Sequence, residues 1–122
     1  MASGTDGTVK TDPGAIATFD QAKDHVFCWS PANSETGVIE TDALLPNRIE
    51  RSVILEDTVQ IYGKRAHSPD VFGATYQLLS AHKLGGPKGV GALYVRGGVD
   101  VHPLLKGGGQ ESGRRSGTEN II

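Results

Sequence analysis

Apolar positions along the chain fall in short runs, with no long helical stripe. His25-Val26-Phe27-Cys28-Trp29, within Asp24–Trp29, reads as a short buried strand, and Ser52-Val53-Ile54-Leu55 as a second. Thr75–Leu79 and Ala92–Val95 supply two more. Asp12-Pro13 offers an N-cap and a first helical position for a short helix through Ala22. Thr41–Arg51 should cross from one strand to the next as a helix. Pro46 lies in its middle and costs a regular helix about 3 kcal/mol, so a kinked or broken helix is expected there. Residues 1–10 read as a loose lead-in and Asn33–Gly37 as a loop at the C-terminal end of the first strand. Strands separated by crossover segments predict an α/β fold with a mostly parallel sheet and room for an antiparallel edge. No internal repeat or coiled coil is present.

Composition narrows the class without naming a chemistry. A chain of 122 residues fits one domain of modest size. A formal net charge of −2 with scattered Lys and Arg gives no basic face, which argues against nucleic acid as a partner. No run is apolar enough for a transmembrane helix, and the Met1–Asp6 start lacks the charged and apolar regions of a signal peptide, so no membrane partner is expected. The single cysteine, Cys28, excludes an internal disulfide framework and fits a reducing compartment, the cytoplasm. Its apolar run predicts a buried thiol. His25 and Cys28 have a His-x-x-Cys spacing but no second ligand pair, so no metal site is expected.

The most informative stretch is Ser80-Ala81-His82-Lys83, followed by Leu84-Gly85-Gly86-Pro87-Lys88-Gly89-Val90-Gly91. A lysine sits in a polar turn between two strands, preceded by a hydroxyl and an imidazole. Such an amine suits a Schiff base with an aldehyde cofactor, and the neighbouring donors suit that cofactor's phosphate, which points to pyridoxal phosphate. In an extended segment Ser80 and His82 share one side and Lys83 points to the other. The alternative is a surface lysine in a Gly/Pro turn. The glycines are not a nucleotide loop, because Lys88 is followed by Gly89 and not by a hydroxyl.

Three further blocks surround this one in order: Ala32-Asn33-Ser34-Glu35-Thr36-Gly37, Leu55-Glu56-Asp57-Thr58-Val59-Gln60, and the run from Lys106 through Gly107-Gly108-Gly109 to Ser116-Gly117-Thr118-Glu119-Asn120. Together they resemble the cysteine desulfurases, members of the class V aminotransferase group of pyridoxal-phosphate enzymes. The match is nearly continuous from Leu79 to Ile121 and patchy before it, with Asn33–Ile39 and Asp57–Lys64 its firm points. The resemblance implies part of a fold-type I pyridoxal-phosphate large domain, mostly parallel, with crossover segments, and incomplete. Residues 1–122 would be its central part, with 106–122 a Gly-rich arm.

The resemblance also implies roles. Lys83 would hold the cofactor and shuttle the substrate proton. Asp57 would face the ring nitrogen, whose protonation keeps the ring an electron sink. Gln60 would reach the ring's phenolic oxygen, and Ser80 and His82 would donate to the phosphate. Thr118 would cross a homodimer interface to the partner subunit's cofactor phosphate. Without Lys83, Asp57 reads as an N-cap and Gln60 as an exposed polar residue, and the alternative for the Thr118 arm is a disordered C-terminal tail. The chain departs from the family at three other positions: Ser34 stands where a longer asparagine contacts the cofactor, Ser112 where an arginine is usual, and Leu55 where a histidine is common.

The activity implied is conversion of L-cysteine to L-alanine, with sulfur passed through a persulfide to an acceptor such as an iron–sulfur scaffold protein. The family's ring-stacking histidine, persulfide-forming cysteine loop and substrate-carboxylate arginine have no counterpart in this sequence. The alternative expectation is therefore a non-catalytic relic that binds pyridoxal phosphate weakly or not at all.

Overall fold

The computed structural model describes residues 2–3, 9–10, 25–39, 52–69 and 73–119. The expected helices over 12–22 and 41–51 lie outside the described residues. The described residues form six strands: β1 Ala2–Ser3, β2 Val9–Lys10, β3 His25–Trp29, β4 Ser52–Asp57, β5 Tyr76–Ser80 and β6 Gly91–Val95. Within 1–10, read as a loose lead-in, β1 and β2 pair antiparallel. The other four form one sheet in the order β3-β4-β5-β6. β3, β4 and β5 are parallel, and β6 returns antiparallel on β5. The sheet is thus mostly parallel with an antiparallel edge, as the spacing of the apolar runs predicts.

Register sorts the side chains into two faces, because directly paired residues share a face and alternate along each strand. Val26 pairs with Val53, Cys28 with Leu55, Leu55 with Tyr76, and Leu78 with both Asp57 and Leu93. That face is apolar, yet Val26 is 69% exposed and Leu93 is 47% exposed. The opposite face carries Phe27, Ile54, Glu56, Gln77 and Leu79. Here the expectation for Cys28 fails: its thiol is exposed. An apolar run reveals that a strand exists, but not whether the strand lies at an edge. Among the described residues β3 stands at one end of the sheet order, and Cys28 shares a face with the exposed Val26. His25 and Cys28, three apart in a strand, lie on opposite faces and cannot share one ion.

The β4–β5 pairing is short and its two ends are closed by threonines. At the N-terminal end of β5, Thr75 N donates to Ile54 O at 2.9 Å, and Thr75 Oγ1 accepts from Ile54 N at 3.0 Å and Arg96 Nη2 at 2.9 Å. At the other end, Thr58 N and Oγ1 both donate to Leu78 O, at 3.2 and 2.6 Å. Both threonines are buried. No helix among the described residues is long and apolar enough to cross a membrane.

Thr75→Val keeps the shape but removes the acceptor of two donors, one of them a backbone amide within the sheet. Leaving such groups unpaired costs about 1–3 kcal/mol. Urea unfolding of Thr75→Val is expected to show a loss in that range with an unchanged m-value.

Candidate functional site

β3, β4 and β5 are parallel, so their C-terminal ends and the loops after them open on one edge of the sheet, the side where open α/β sheets bind ligands. Six of the seven residues singled out in the sequence stand there: Ser34 after β3, Asp57 and Gln60 at and after β4, and Ser80, His82 and Lys83 at and after β5. Ser30 Oγ ties two of the ends together, donating to Ala32 O at 2.9 Å and to Asp57 O at 3.3 Å.

After β3, Asn33 Oδ1 accepts from Glu35 N at 2.9 Å and Thr36 N at 3.1 Å, so its side chain is spent on its own turn. Ser34 is left exposed. It lines a pocket of about 260 Å³ together with Gln60, Ile39, Lys64 and Arg65. Gln60 Oε1 accepts from Lys64 Nζ at 3.3 Å.

Asp57 is the last residue of β4, at the strand's C-terminal end as the sequence suggests, although the strand runs two residues beyond the expected end at Leu55. The side chain is exposed. Its Oδ1 accepts from Val59 N at 3.1 Å, which starts a turn continued by Ile61 N and Tyr62 N donating to Thr58 O at 3.0 and 2.9 Å. The capping role is therefore real, and it occupies one carboxylate oxygen. No hydrogen bond among the described residues engages the other.

After β5 the chain does not stay extended. Ala81–Leu84 form a 3₁₀ turn, closed by Gly85 at φ +82° and by Gly86 N donating to Ala81 O at 2.9 Å. The reason given for grouping Ser80 with His82 therefore fails, because a two-residue offset shares a face only in a strand. The grouping itself stands: Ser80 Oγ and His82 Nδ1 are 2.9 Å apart. Lys83 is exposed, and no described residue pairs with its ammonium. The turns after β4 and β5 touch. A Cβ on Gly63, which has φ +77°, would lie 2.7 Å from Leu84 Cδ2.

Thr118 stands apart, at the end of the arm, exposed and with no hydrogen bond to the other six among the described residues. The arm is held by its own side chains. Ser116, only 7% exposed, donates from Oγ to Gly108 O at 2.7 Å and from N to Leu105 O at 3.2 Å, and Gln110 Oε1 accepts from Gly117 N at 3.3 Å. Glu111 and Ser112 adopt φ +48° and +56°, the left-handed region that non-glycine residues rarely occupy.

The sequence reading missed a buried polar cluster beneath this edge. Glu56 is 0% exposed and Gln77 1%, and the His67 side chain is 3% exposed. Gln77 Nε2 donates to Glu56 Oε2, and His67 Nε2 lies 3.0 Å from Glu56 Oε1. The Glu56-Asp57 pair looks like the polar end of a strand. A signal was available in Gln77, a lone amide inside the apolar run Tyr76-Gln77-Leu78-Leu79.

The open, mostly parallel α/β sheet matches a fragment of the pyridoxal-phosphate fold-type I architecture seen in its structural neighbours. The chain belongs to the class-V aminotransferases, whose family model matches residues 5–122. It is 45% identical over 92 residues to the cysteine desulfurase IscS of Dictyoglomus turgidum, covering 74% of this chain and 23% of that protein. It is 50% identical over 95 residues to a cysteine desulfurase of Bradyrhizobium diazoefficiens, with the same coverages of 74% and 23%. Among solved structures, a NifS-like protein superposes with a TM-score of 0.79 at 34% identity, covering 89% of this chain and 31% of that one. SspA in complex with cysteine superposes with a TM-score of 0.76 at 28% identity, covering 90% and 33%. The chain thus spans less than a quarter of the length of these curated relatives.

Gly63→Ala tests the contact between the two turns. A side chain at this φ costs about 1–3 kcal/mol, and the new methyl displaces Leu84. The expected outcome is a stability loss in that range in urea unfolding, with a shifted Leu84 methyl resonance.

Proposed function

We propose that the chain carries the cofactor-binding segment of a pyridoxal-phosphate-dependent cysteine desulfurase, acting on L-cysteine and passing its sulfur to an acceptor protein. The observation that carries this reading is the collection of Asp57, Gln60, Ser80, His82 and Lys83 along one edge of the sheet, within two turns that touch. The names of the relatives support the choice of substrate.

The donor set fits the cofactor. Ser80 Oγ and the His82 imidazole, 2.9 Å apart, form a pair of groups suited to phosphate oxygens. The Lys83 amine, with no acidic partner among the described residues, is available to an aldehyde. Asp57, one of whose oxygens is uncommitted, suits a protonated ring nitrogen. When bound, the cofactor supplies an electron sink for the substrate's α-carbon. The remaining work belongs to the chain. Asp57 would hold the proton on the ring nitrogen, Gln60 Nε2 would donate to the ring oxygen, and Lys83 Nζ would move the substrate's α-proton. Ser34 contributes at most a short hydroxyl contact. Thr118 serves a second subunit in a homodimer, which agrees with its exposure at the tip of a self-supported arm.

Incubation with pyridoxal phosphate followed by borohydride is expected to leave a stable pyridoxyl label on Lys83, found by peptide mass mapping. Lys83→Ala should abolish it and Lys88→Ala should leave it. Equal labelling of Lys83 and Lys88 would overturn the site.

A second reading, cofactor binding without sulfur transfer, is favoured for the isolated chain by the position of Cys28. Desulfuration needs a thiolate on a mobile segment beside the reacting carbon. Cys28, the only cysteine, is fixed in β3 opposite Leu55, two strands from β5 and so about 10 Å to the side at a spacing of about 4.8 Å per strand. The chain is expected to release no sulfide from L-cysteine and reductant beyond a free pyridoxal-phosphate control, and Cys28→Ser should change nothing. Turnover above the control that is lost in Cys28→Ser would show that Cys28 reaches the site.

A further inference from the structure

Glu56, His67 and Gln77 form a buried ionisable cluster that the proposed chemistry does not use, and its position relative to the site is specific. Glu56 directly precedes Asp57, Gln77 lies three residues before Ser80, and His67 ends the segment that carries Gln60. Gln77 Nε2 donates to Glu56 Oε2, while His67 Nε2 lies 3.0 Å from Glu56 Oε1, which accepts no hydrogen bond among the described residues. Their own approach, 3.4 Å between the two nitrogens, is a contact of two donors when the imidazole is protonated toward Glu56.

β4 and β5 pair over three positions only, Leu55↔Tyr76, Glu56↔Gln77 and Asp57↔Leu78. A slip of one residue would turn every side chain to the wrong face, but a slip of two preserves both faces and is not opposed by the apolar pattern. Such a slip would move Asp57 by roughly 6.6 Å relative to Ser80 and Lys83, at about 3.3 Å per residue. The threonine clasps on Ile54 and Leu78 use main-chain groups, which recur in every register. The Gln77–Glu56 bond is between side chains, and in a strand slipped by two Gln77 faces no acceptor of that kind.

We propose that Glu56, Gln77 and His67 are positioning residues that pin the β4–β5 register, and with it the placement of Asp57 and Gln60 against Ser80, His82 and Lys83. This rests on reading those five as one site. A cluster kept only for stability would not need to be polar, since buried ion pairs replaced by apolar residues of similar volume commonly leave stability unchanged or raised.

That contrast gives the test. The full chain is compared with the triple variant Glu56→Val, His67→Leu, Gln77→Met and with Gln77→Met alone, which leaves the Glu56–His67 pair. Register is read from interstrand NOEs between β4 and β5, and folding from circular dichroism. Both variants are expected to fold and to show a second set of NOEs displaced by two residues. In the triple variant the preference of pyridoxal phosphate for Lys83 over Lys88 should fall by roughly tenfold, as a misplacement of an ångström or more would cause. A folded variant that keeps one native register overturns the proposal. A slipped register with the Lys83 preference intact overturns the positioning role. Should the triple variant not fold, Gln77→Met decides by the same criteria. Absence of any Lys83 preference in the unaltered chain would count against the proposed function, and the NOEs would still decide the register.

Discussion

The pairing of β4 with β5 is the constraint on which the rest of the described structure depends. It joins the strand that delivers Asp57 to the strand that delivers Ser80 and Lys83, and it does so across three residue pairs. Parallel pairing is slightly weaker per residue than antiparallel, and three pairs hold little surface. The ends are closed by Thr75 and Thr58, each buried and each with both its amide and its hydroxyl bonded across the junction. β3 adds to this pair at one side and β6 at the other, so both edges of the sheet inherit its geometry.

Much of this fold is legible in the sequence because its strands are short β-branched and apolar runs bounded by polar or glycine-rich segments. His25–Trp29 and Gly91–Val95 fall within a residue of the runs that predict them. What is not legible is how the strands are ordered. Periodicity places Cys28 in a strand, but only the sheet order puts that strand at one end of the described sheet, on a face where Val26 is exposed. The same limit hides the cluster. Glu56 looks solvent-facing beside Asp57 until its pairing with Gln77 shows both side chains directed to the buried face.

The site divides along a similar line. Residue type and spacing locate Asp57, Gln60, Ser80, His82 and Lys83 at the ends of strands, because a run's end can be read from where its apolar pattern stops. The local geometry follows from hydrogen bonds that the pattern does not contain. Asn33 turns its side chain back on Glu35 and Thr36, leaving Ser34 as the exposed member of the pair. Gly85 in the left-handed region lets Ala81–Leu84 coil, so Ser80 meets His82 around a turn and not along a strand.

The balance of forces in the described part differs from that of a sheet covered on both sides. Parallel sheets in α/β proteins are normally packed on each face, and their strands read as continuous apolar runs for that reason. Among the described residues Val26, Leu78 and Leu93 are exposed on one face of the sheet. The largest fully buried side chains include Gln77, Glu56 and Thr58, all polar. Apolar burial is indifferent to small displacements along a strand, whereas hydrogen bonds between named side chains are satisfied in one alignment alone. The Gln77–Glu56 bond across this junction is of that kind, and it fixes position more tightly than apolar contact would. That is the property needed where a carboxylate on one strand and an amine beyond the next must face the same molecule.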